Sequence, residues 1–197
     1  MLQKGYSHPY GARTSNGRRL PVVYPLPKRG KLEYNIYFKA HIPMSRLAEL
    51  YLQAEQYGAE KQLSYAGALP PADAFLVLEL DPGARLVDVR TRAELDWVGR
   101  PRIAEAQYIH LEWTRYPGSV PNAEFIEQLQ ALVQADTPVL FLCRSAVRSK
   151  AAAIAVARAG FSRAFDLLEG FEGDRDANGH RKTVGGWCFR GLPWIGA

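Results

Sequence analysis

The chain is poor in sulfur and in metal-ligating side chains: its 197 residues hold two cysteines, Cys143 and Cys188, two methionines and four histidines. Two cysteines cannot build the disulfide framework that staples small secreted domains, and each thiol has to be judged on its surroundings. No Cys or His cluster stands at ligand spacing, so neither a metal nor another cofactor is expected. No apolar run approaches the roughly 18 residues of a membrane-spanning helix. Met1-Leu2-Gln3-Lys4-Gly5 is not followed by the apolar segment of a secretory signal. The expectation is a cytoplasmic protein with no membrane partner. Internal repeats and low-complexity tracts are also absent, which sets solenoid and fibrous classes aside.

Acidic residues are nearly missing from one stretch. Residues 1–43 carry Lys4, Arg13, Arg18, Arg19, Lys28, Arg29, Lys31 and Lys39 against Glu33 alone, a net of +7, while the whole chain is +5 and the remainder therefore −2. The basic excess, which would ordinarily point to a polyanion, thus belongs to a leader rather than to the body. Tryptophan and tyrosine are scattered rather than interleaved with a basic patch, so no nucleic-acid partner is expected. What is present, 47% hydrophobic and 23% charged residues, is the composition of an ordinary globular protein, and the length suits one domain with an appendage.

Proline and glycine punctuate residues 1–43 so densely that they read as irregular, with room for a helix only around Leu32–Ala40. Met44 stands where pattern begins and is a candidate alternative translation start. The expected organisation is a basic leader at 1–43, an N-terminal helical segment at 44–63 and a folded domain at 64–197. Ser45 can cap a helix over Arg46–Tyr57, in which Leu47, Leu50, Tyr51, Ala54 and Tyr57 recur at helical spacing. From Leu69 onward short helices and apolar runs alternate, the habit of a parallel sheet covered on both faces.

The first of these helices opens at Pro70-Pro71, runs through Glu79 and is ended by Asp81-Pro82-Gly83. Leu86–Val89 reads as a buried strand, and Thr91-Arg92-Ala93-Glu94 is a capping box. Tyr108–Leu111 is a second strand. Asn122 precedes a helix with Phe125, Ile126, Leu129, Leu132 and Val133 on one stripe. Val139–Leu142 is the clearest strand, followed by an Ala-rich helix over Ser149–Ala159 that Gly160 ends, and Ala164–Leu168 is the last strand.

The informative feature is Cys143, set between the buried strand Val139–Leu142 and the start of the Ala-rich helix. That point is the carboxyl edge of a parallel sheet, where ligands bind. Unpartnered backbone N–H groups and the positive end of the helix dipole favour an anion there, and Arg144 and Arg148 add charge. Such a setting suits a nucleophilic thiolate. A cysteine ending an apolar strand is otherwise a small buried hydrophobe, but two arginines and a helix start within six residues argue for chemistry. Cys188, in Gly185-Gly186-Trp187-Cys188-Phe189, has no following helix and reads as packing, with a resolving thiol as the alternative.

These residues resemble a known family. Cys143-Arg144-Ser145-Ala146-Val147-Arg148-Ser149 resembles the active-site loop of rhodanese-like sulfurtransferases. Leu86-Val87-Asp88-Val89-Arg90 with Glu94 resembles their Asp-x-Arg strand motif. Leu168-Glu169-Gly170, Trp187 and Gly191-Leu192-Pro193-Trp194 resemble their closing motifs, so that the likeness spans about residues 64–195. The resemblance implies a three-layer α/β fold with a mostly parallel five-stranded sheet between helices, and a Cys143 that carries a sulfane sulfur as a persulfide. It further implies that Arg144, Ser145, Ala146, Val147 and Arg148 bind the donor and the persulfide through their N–H groups. Asp88, Arg90 and Ser149 are expected behind them. Asp88 is open between orienting the loop and capping the turn at Thr91.

Four residues separate Cys143 from Arg148, a smaller loop than the cysteine phosphatases have, which argues for sulfur over phosphate. The expected reaction takes sulfur from a small anionic donor such as thiosulfate to a thiol or cyanide, with a protein thiol as a further candidate acceptor. The rivals are a cysteine phosphatase or arsenate reductase, and a partner-docking or sulfur-relay module without turnover. Two segments leave the family pattern, Gly99–Ala106 with the insertion Trp113–Gly118, and Phe171–Gly186 with His180. Both are candidates for the pocket rim, where the mixed-charge loop with His180 would select a donor or a protein partner, and the simpler expectation for both is a solvated surface loop. His110, on an apolar strand, reads as a core or rim histidine.

Overall fold

The computed structural model describes residues 45–196. The basic leader, the candidate helix around Leu32–Ala40 and the candidate start at Met44 lie outside the described residues. At Ser45 the side-chain oxygen accepts from the Ala48 N–H at 3.2 Å and caps α1, Arg46–Glu60. A Cβ on Gly58 would come within 2.6 Å of the Ala66 carbonyl oxygen, so only glycine lets α1 lie this close to the chain entering β1, Gly67–Leu69.

Helix α2, Pro71–Leu80, carries proline in its first turn, where the missing N–H would have had no partner anyway. It ends at Asp81, whose carboxylate accepts from the Gly83 N–H at 2.9 Å and the Tyr51 hydroxyl at 2.7 Å. There follow β2 (Arg85–Asp88), α3 (Arg92–Val98), β3 (Arg100–Pro101), a 3-10 turn (Glu105–Gln107), β4 (Tyr108–His110), β5 (Thr114–Arg115), β6 (Val120–Pro121) and α4 (Phe125–Gln130). The chain continues as β7 (Val139–Leu142), α5 (Val147–Arg158), β8 (Ala164–Leu167) and β9 (Trp194–Ile195).

Five strands form one sheet in the order β1-β8-β7-β2-β4, every pair parallel. Alternation along these short strands fills two cores. Leu86, Leu140, Leu142, Phe165 and Leu167 point to α1, α2 and Trp187, whereas Val87, Val139, Phe141 and Ala164 point to α4 and α5. Helices on both faces explain why β7 is apolar at every position and is buried throughout. The register sets β7 in the centre, between β2 and β8, so that its carboxyl end opens mid-sheet.

The expected α/β class and the helix-sheet-helix layering hold, and the five-stranded sheet is wholly parallel. Its fifth member, β1, is three residues long and too short to carry a pattern. The helix after Asn122 is shorter than its stripe suggests: it ends at Gln130, and Leu132 lies beyond it and is exposed. Asn122 stands two residues ahead of that helix's N-cap and accepts from the Glu124 N–H at 3.3 Å. Helix α5 starts at Val147, two residues before Ser149, and α1 runs three residues past Tyr57. Two antiparallel pairs of two residues each, β3 with β9 and β5 with β6, have no counterpart in the sequence reading.

Candidate active site

Strand β7 delivers Cys143 to the carboxyl edge with 1% of its surface exposed. The chain then turns through Ala146, whose φ of 63° lies in the left-handed region, and enters α5. For a residue with a Cβ that conformation costs about 1–2 kcal/mol, so the surroundings must hold it. They do so through the turn after β8. The Phe171 N–H donates to the Cys143 carbonyl at 2.8 Å, and the N–H groups of Glu172 and Gly173 donate to the Arg144 carbonyl at 3.0 and 3.2 Å. Gly170, with φ of +69°, sits directly beneath: a Cβ there would lie 2.6 Å from the backbone of Cys143, Arg144 and Ser145.

Because a peptide's C=O and N–H point opposite ways, pinning the carbonyls of Cys143 and Arg144 turns the N–H groups of Arg144 and Ser145 away from Gly170. The N–H groups of Arg144 through Arg148 donate to no acceptor among the described residues. They form a cup of donors at the N-terminus of α5, an anion-favouring arrangement.

Ser149 is buried and its hydroxyl donates to Cys143 Sγ at 3.3 Å. Behind it on β8 lies Asp166, 2% exposed and registered opposite Phe141. Burial pushes the Asp166 carboxyl up to about 6, against the opposing pull of the Ser149 hydroxyl and Lys150. Its Oδ1 meets no donor among the described residues.

Asp88 and Arg90 are wholly buried as a pair: Asp88 accepts from the Arg90 N–H at 3.2 Å, from Arg90 Nε at 2.9 Å and from the Tyr108 hydroxyl at 3.0 Å. Arg90 also donates to the Gly99 carbonyl at 3.0 Å, and its guanidinium lies 4.1 Å over the Phe171 ring. Asp88 does not cap the turn at Thr91; the Thr91 N–H goes to Glu94 at 2.9 Å, completing the capping box of α3. Asp88 and Arg90 therefore brace the turn at Phe171, which in turn holds the Cys143 carbonyl, and neither is hydrogen-bonded to the thiol.

Arg148 is committed. Its guanidinium forks onto Glu94 at 2.7 and 2.6 Å. Burial alone would raise the Glu94 carboxyl, but the bonds from Arg148 and the Thr91 N–H outweigh it and hold it at about 2. Arg144 is exposed and makes no ion pair with any described residue, so it is the uncompensated cation at the cup.

A cavity of about 510 Å³ borders the loop at Arg144 and Arg148. Arg144 and Arg148 contribute to it from the cradle, Glu94 and Trp97 from α3, Arg115, Tyr116 and Ser119 from the β5–β6 hairpin, and Glu172 and Arg181 from the loop after β8. The two segments that leave the family pattern thus both wall it, where a solvated loop is the simpler expectation. Arg115, Tyr116 and Arg181 stand in the segments that the rim alternative named, without a role given to each, and Trp97 is the residue that sequence reasoning missed. The available signal was the departure itself together with a tryptophan in a seven-residue helix, Arg92–Val98. His180 stays outside, exposed and 3.7 Å from Asp176.

Cys188 packs on the first core and donates its N–H to the Phe171 carbonyl at 3.0 Å; burial pushes its thiol up to about 11. His110 Nε2 lies 2.9 Å from the Arg90 carbonyl oxygen. Among the described residues no group of three His, Cys, Asp or Glu side chains is placed to hold a metal ion, and no helix is long and apolar enough to cross a membrane.

A family model, the rhodanese-like domain, matches residues 72–177. Among curated proteins, the uncharacterized protein RP600 of Rickettsia prowazekii is 31% identical over 123 residues, which cover 61% of this chain and 90% of that one. The uncharacterized protein RC0915 of Rickettsia conorii is 32% identical over 124 residues, with the same shares of 61% and 90%. Among solved structures, the crystal structure of Rv0390 from M. tuberculosis superposes with a TM-score of 0.61 at 40% identity, covering 66% of this chain and 98% of that one.

Proposed function

The chain belongs to the rhodanese-like domain family, and on that premise we propose that it is a sulfurtransferase that carries a sulfane sulfur as a persulfide on Cys143. The observation that carries this reading is the cup itself. Five consecutive N–H groups, from Arg144 to Arg148, follow the buried Cys143 into a helix N-terminus and have no acceptor among the described residues.

In the proposed reaction the Cys143 thiolate attacks the outer sulfur of thiosulfate. A bond forms between Cys143 Sγ and that sulfur, the sulfur–sulfur bond of the donor breaks, and its electron pair leaves with sulfite. The terminal sulfur of the resulting Cys143 persulfide carries negative charge, and the cup's N–H groups stabilise it as an oxyanion hole stabilises oxygen. Arg144 draws the anionic donor to the mouth, and Ser149 holds Sγ by its hydroxyl. An acceptor thiolate then attacks the outer sulfur and releases Cys143 as thiolate. Sulfur passes between sulfur atoms throughout, so no step calls for a metal or an organic cofactor.

The four-residue interval between Cys143 and Arg148 and the commitment of Arg148 to Glu94 both favour sulfur over phosphoryl transfer. A phosphatase needs a guanidinium free to clamp phosphate oxygens.

The test is mass spectrometry after incubation with thiosulfate. Cys143 should gain about 32 Da, one sulfur atom, and the Cys143→Ser protein should gain nothing. Absence of the adduct with thiosulfate, mercaptopyruvate and a persulfide donor alike would overturn the reading.

A further inference from the structure

The cavity is much larger than a donor anion of a few atoms requires. About 510 Å³ lies within the range of about 300–1,000 Å³ that encloses cofactor-sized molecules. Its walls also differ in kind. Of the guanidinium groups that face it, Arg148 is neutralised by Glu94, and Arg115 makes a surface pair with Glu124 at 3.6 Å. Arg144 and Arg181 have no carboxylate partner within ion-pair distance among the described residues, and Glu172 is the one acid on the wall beside them. Arg181 is held in place by its bond to the Gly173 carbonyl. The two arginines stand close enough that Arg144, after burial, is the largest influence lowering the proton affinity of Arg181.

Across the cavity, Trp97 and Tyr116 pack edge to face with centroids 5.7 Å apart, yet they remain 70% and 63% exposed. Two guanidinium groups with no carboxylate in ion-pair contact favour an anion of more than one charge, and their planar forks match phosphate. Two large aromatic surfaces left in water ask for a flat ring.

We propose that this cavity seats the sulfur acceptor and that the acceptor is a nucleotide-bearing thiol, its phosphates held by Arg144 and Arg181 and its ring lying on Trp97 and Tyr116. The inference rests on the sulfurtransferase reading and names its acceptor. Arg144 and Arg148, on the loop that begins at Cys143, border the cavity, so an acceptor seated there has its thiol arm reach along that loop to the outer sulfur of the persulfide, which stands about 2 Å beyond Sγ. The acceptor's thiolate forms a bond to that outer sulfur and the bond from Cys143 Sγ breaks. Cys143 departs as thiolate, the proton lost from the acceptor goes to solvent, and the acceptor leaves as its own persulfide. No oxidant or reductant enters.

The experiment loads the full chain with sulfur and follows loss of the 32 Da adduct, about one sulfur atom, against coenzyme A, pantetheine and glutathione. Coenzyme A should discharge the protein at concentrations about tenfold lower than pantetheine, which has the same thiol arm without ring or nucleotide phosphates; tenfold corresponds to about 1.4 kcal/mol. Arg181→Gln and the well-exposed Trp97→Ala should each shrink that preference several-fold.

Equal use of coenzyme A and pantetheine, or a preference for glutathione, would overturn the proposal. In parallel, coenzyme A is titrated into the Cys143→Ser protein by calorimetry. Binding there without any sulfur loading in the parent would retain the nucleotide site and sink the sulfurtransferase reading; loading without preference and without binding would do the reverse.

Discussion

The floor of the site and its wall are built on different terms. The floor runs from Val139 to Ser149 and is closed from below by the turn at Gly170; Val139–Cys143 and Ser149 are buried, and backbone hydrogen bonds from Phe171, Glu172 and Gly173 hold the loop between them. The wall is made of side chains on a short helix, a hairpin and a loop, among them the exposed Trp97, Arg115 and Tyr116, with surface pairs such as Arg115 with Glu124 at 3.6 Å. Buried backbone geometry tolerates little change, whereas exposed substitutions usually shift stability by no more than about 0.5 kcal/mol. On the proposed reading, the sulfur-carrying thiol thus stands where the fold is fixed, and the acceptor is met by side chains whose substitution costs the fold little.

The sharpest way to break the contrast is Gly170→Ala. A methyl group would meet the carbonyl oxygen of Cys143 and the nitrogen of Ser145 at 2.6 Å, both backbone atoms, at a φ of +69° that disfavours any Cβ. The expected loss is about 3 kcal/mol or more of stability, together with most of the sulfur loading. Trp97→Ala on the wall should change the unfolding free energy by about 0.5 kcal/mol or less. Denaturation curves and adduct mass on both proteins decide it; a Gly170→Ala protein that folds and loads normally would erase the distinction.

The same division explains what the sequence discloses. Val139–Leu142 and Leu86–Val89 are legible as strands because both faces are covered, so every position of the first is apolar and only Asp88, paired with Arg90, interrupts the second. Cys143 is legible because helix termini and parallel-sheet edges are local features, and the capping box at Thr91 and Glu94 forms as its spacing predicts. Strand β1 is not legible, since Gly67-Ala68-Leu69 has neither length nor alternation. The pairing of Arg148 with Glu94 spans 54 positions and no local rule announces it. Arg148 therefore looks in sequence like a free cation beside the thiol and turns out to be a strut. The aromatic pair Trp97 and Tyr116 escapes for the opposite reason: exposed residues obey no periodicity.

Asp166 belongs to the floor yet opposes its stability. Its carboxyl titrates near 6 in the native protein against an ordinary 3.8, so the stabilising contribution of the protonated form is complete below about 4 and is lost as pH rises through about 6. Charged at neutral pH, it faces only Lys150 and the Ser149 hydroxyl, and it helps push the neighbouring Tyr65 up to about 12 after burial has begun that shift. Asp166→Asn should raise stability at pH 7.5 by on the order of 2 kcal/mol, less whatever the unbonded amide gives back, and leave it nearly unchanged at pH 4. Urea midpoints at the two pH values provide the test, and an equal gain at both would show that the carboxylate is not the source.

Glu94 joins floor to wall, because it caps α3, borders the cavity and holds Arg148. Its shift has the opposite sign to that of Asp166. Held at about 2 against an ordinary 4.5, it stabilises the native state above about 4.5, and that contribution fades as pH falls toward 2. Glu94→Gln keeps an oxygen for the Thr91 N–H but removes the charge, so the expected loss at pH 7 is about 1 kcal/mol, discounted for the solvent that still reaches both side chains. The gap between the variant and its parent should narrow as pH falls from 5 to about 3, as the parent's own carboxylate begins to protonate. Sulfur loading should fall far less than in Gly170→Ala, since the cup's N–H groups belong to the backbone and Arg148 need only keep its helical position to supply one. A Glu94→Gln protein that stays folded but loads no sulfur would mean that the guanidinium strut shapes the cup itself, and the line between floor and wall would then have to be drawn outside Arg148.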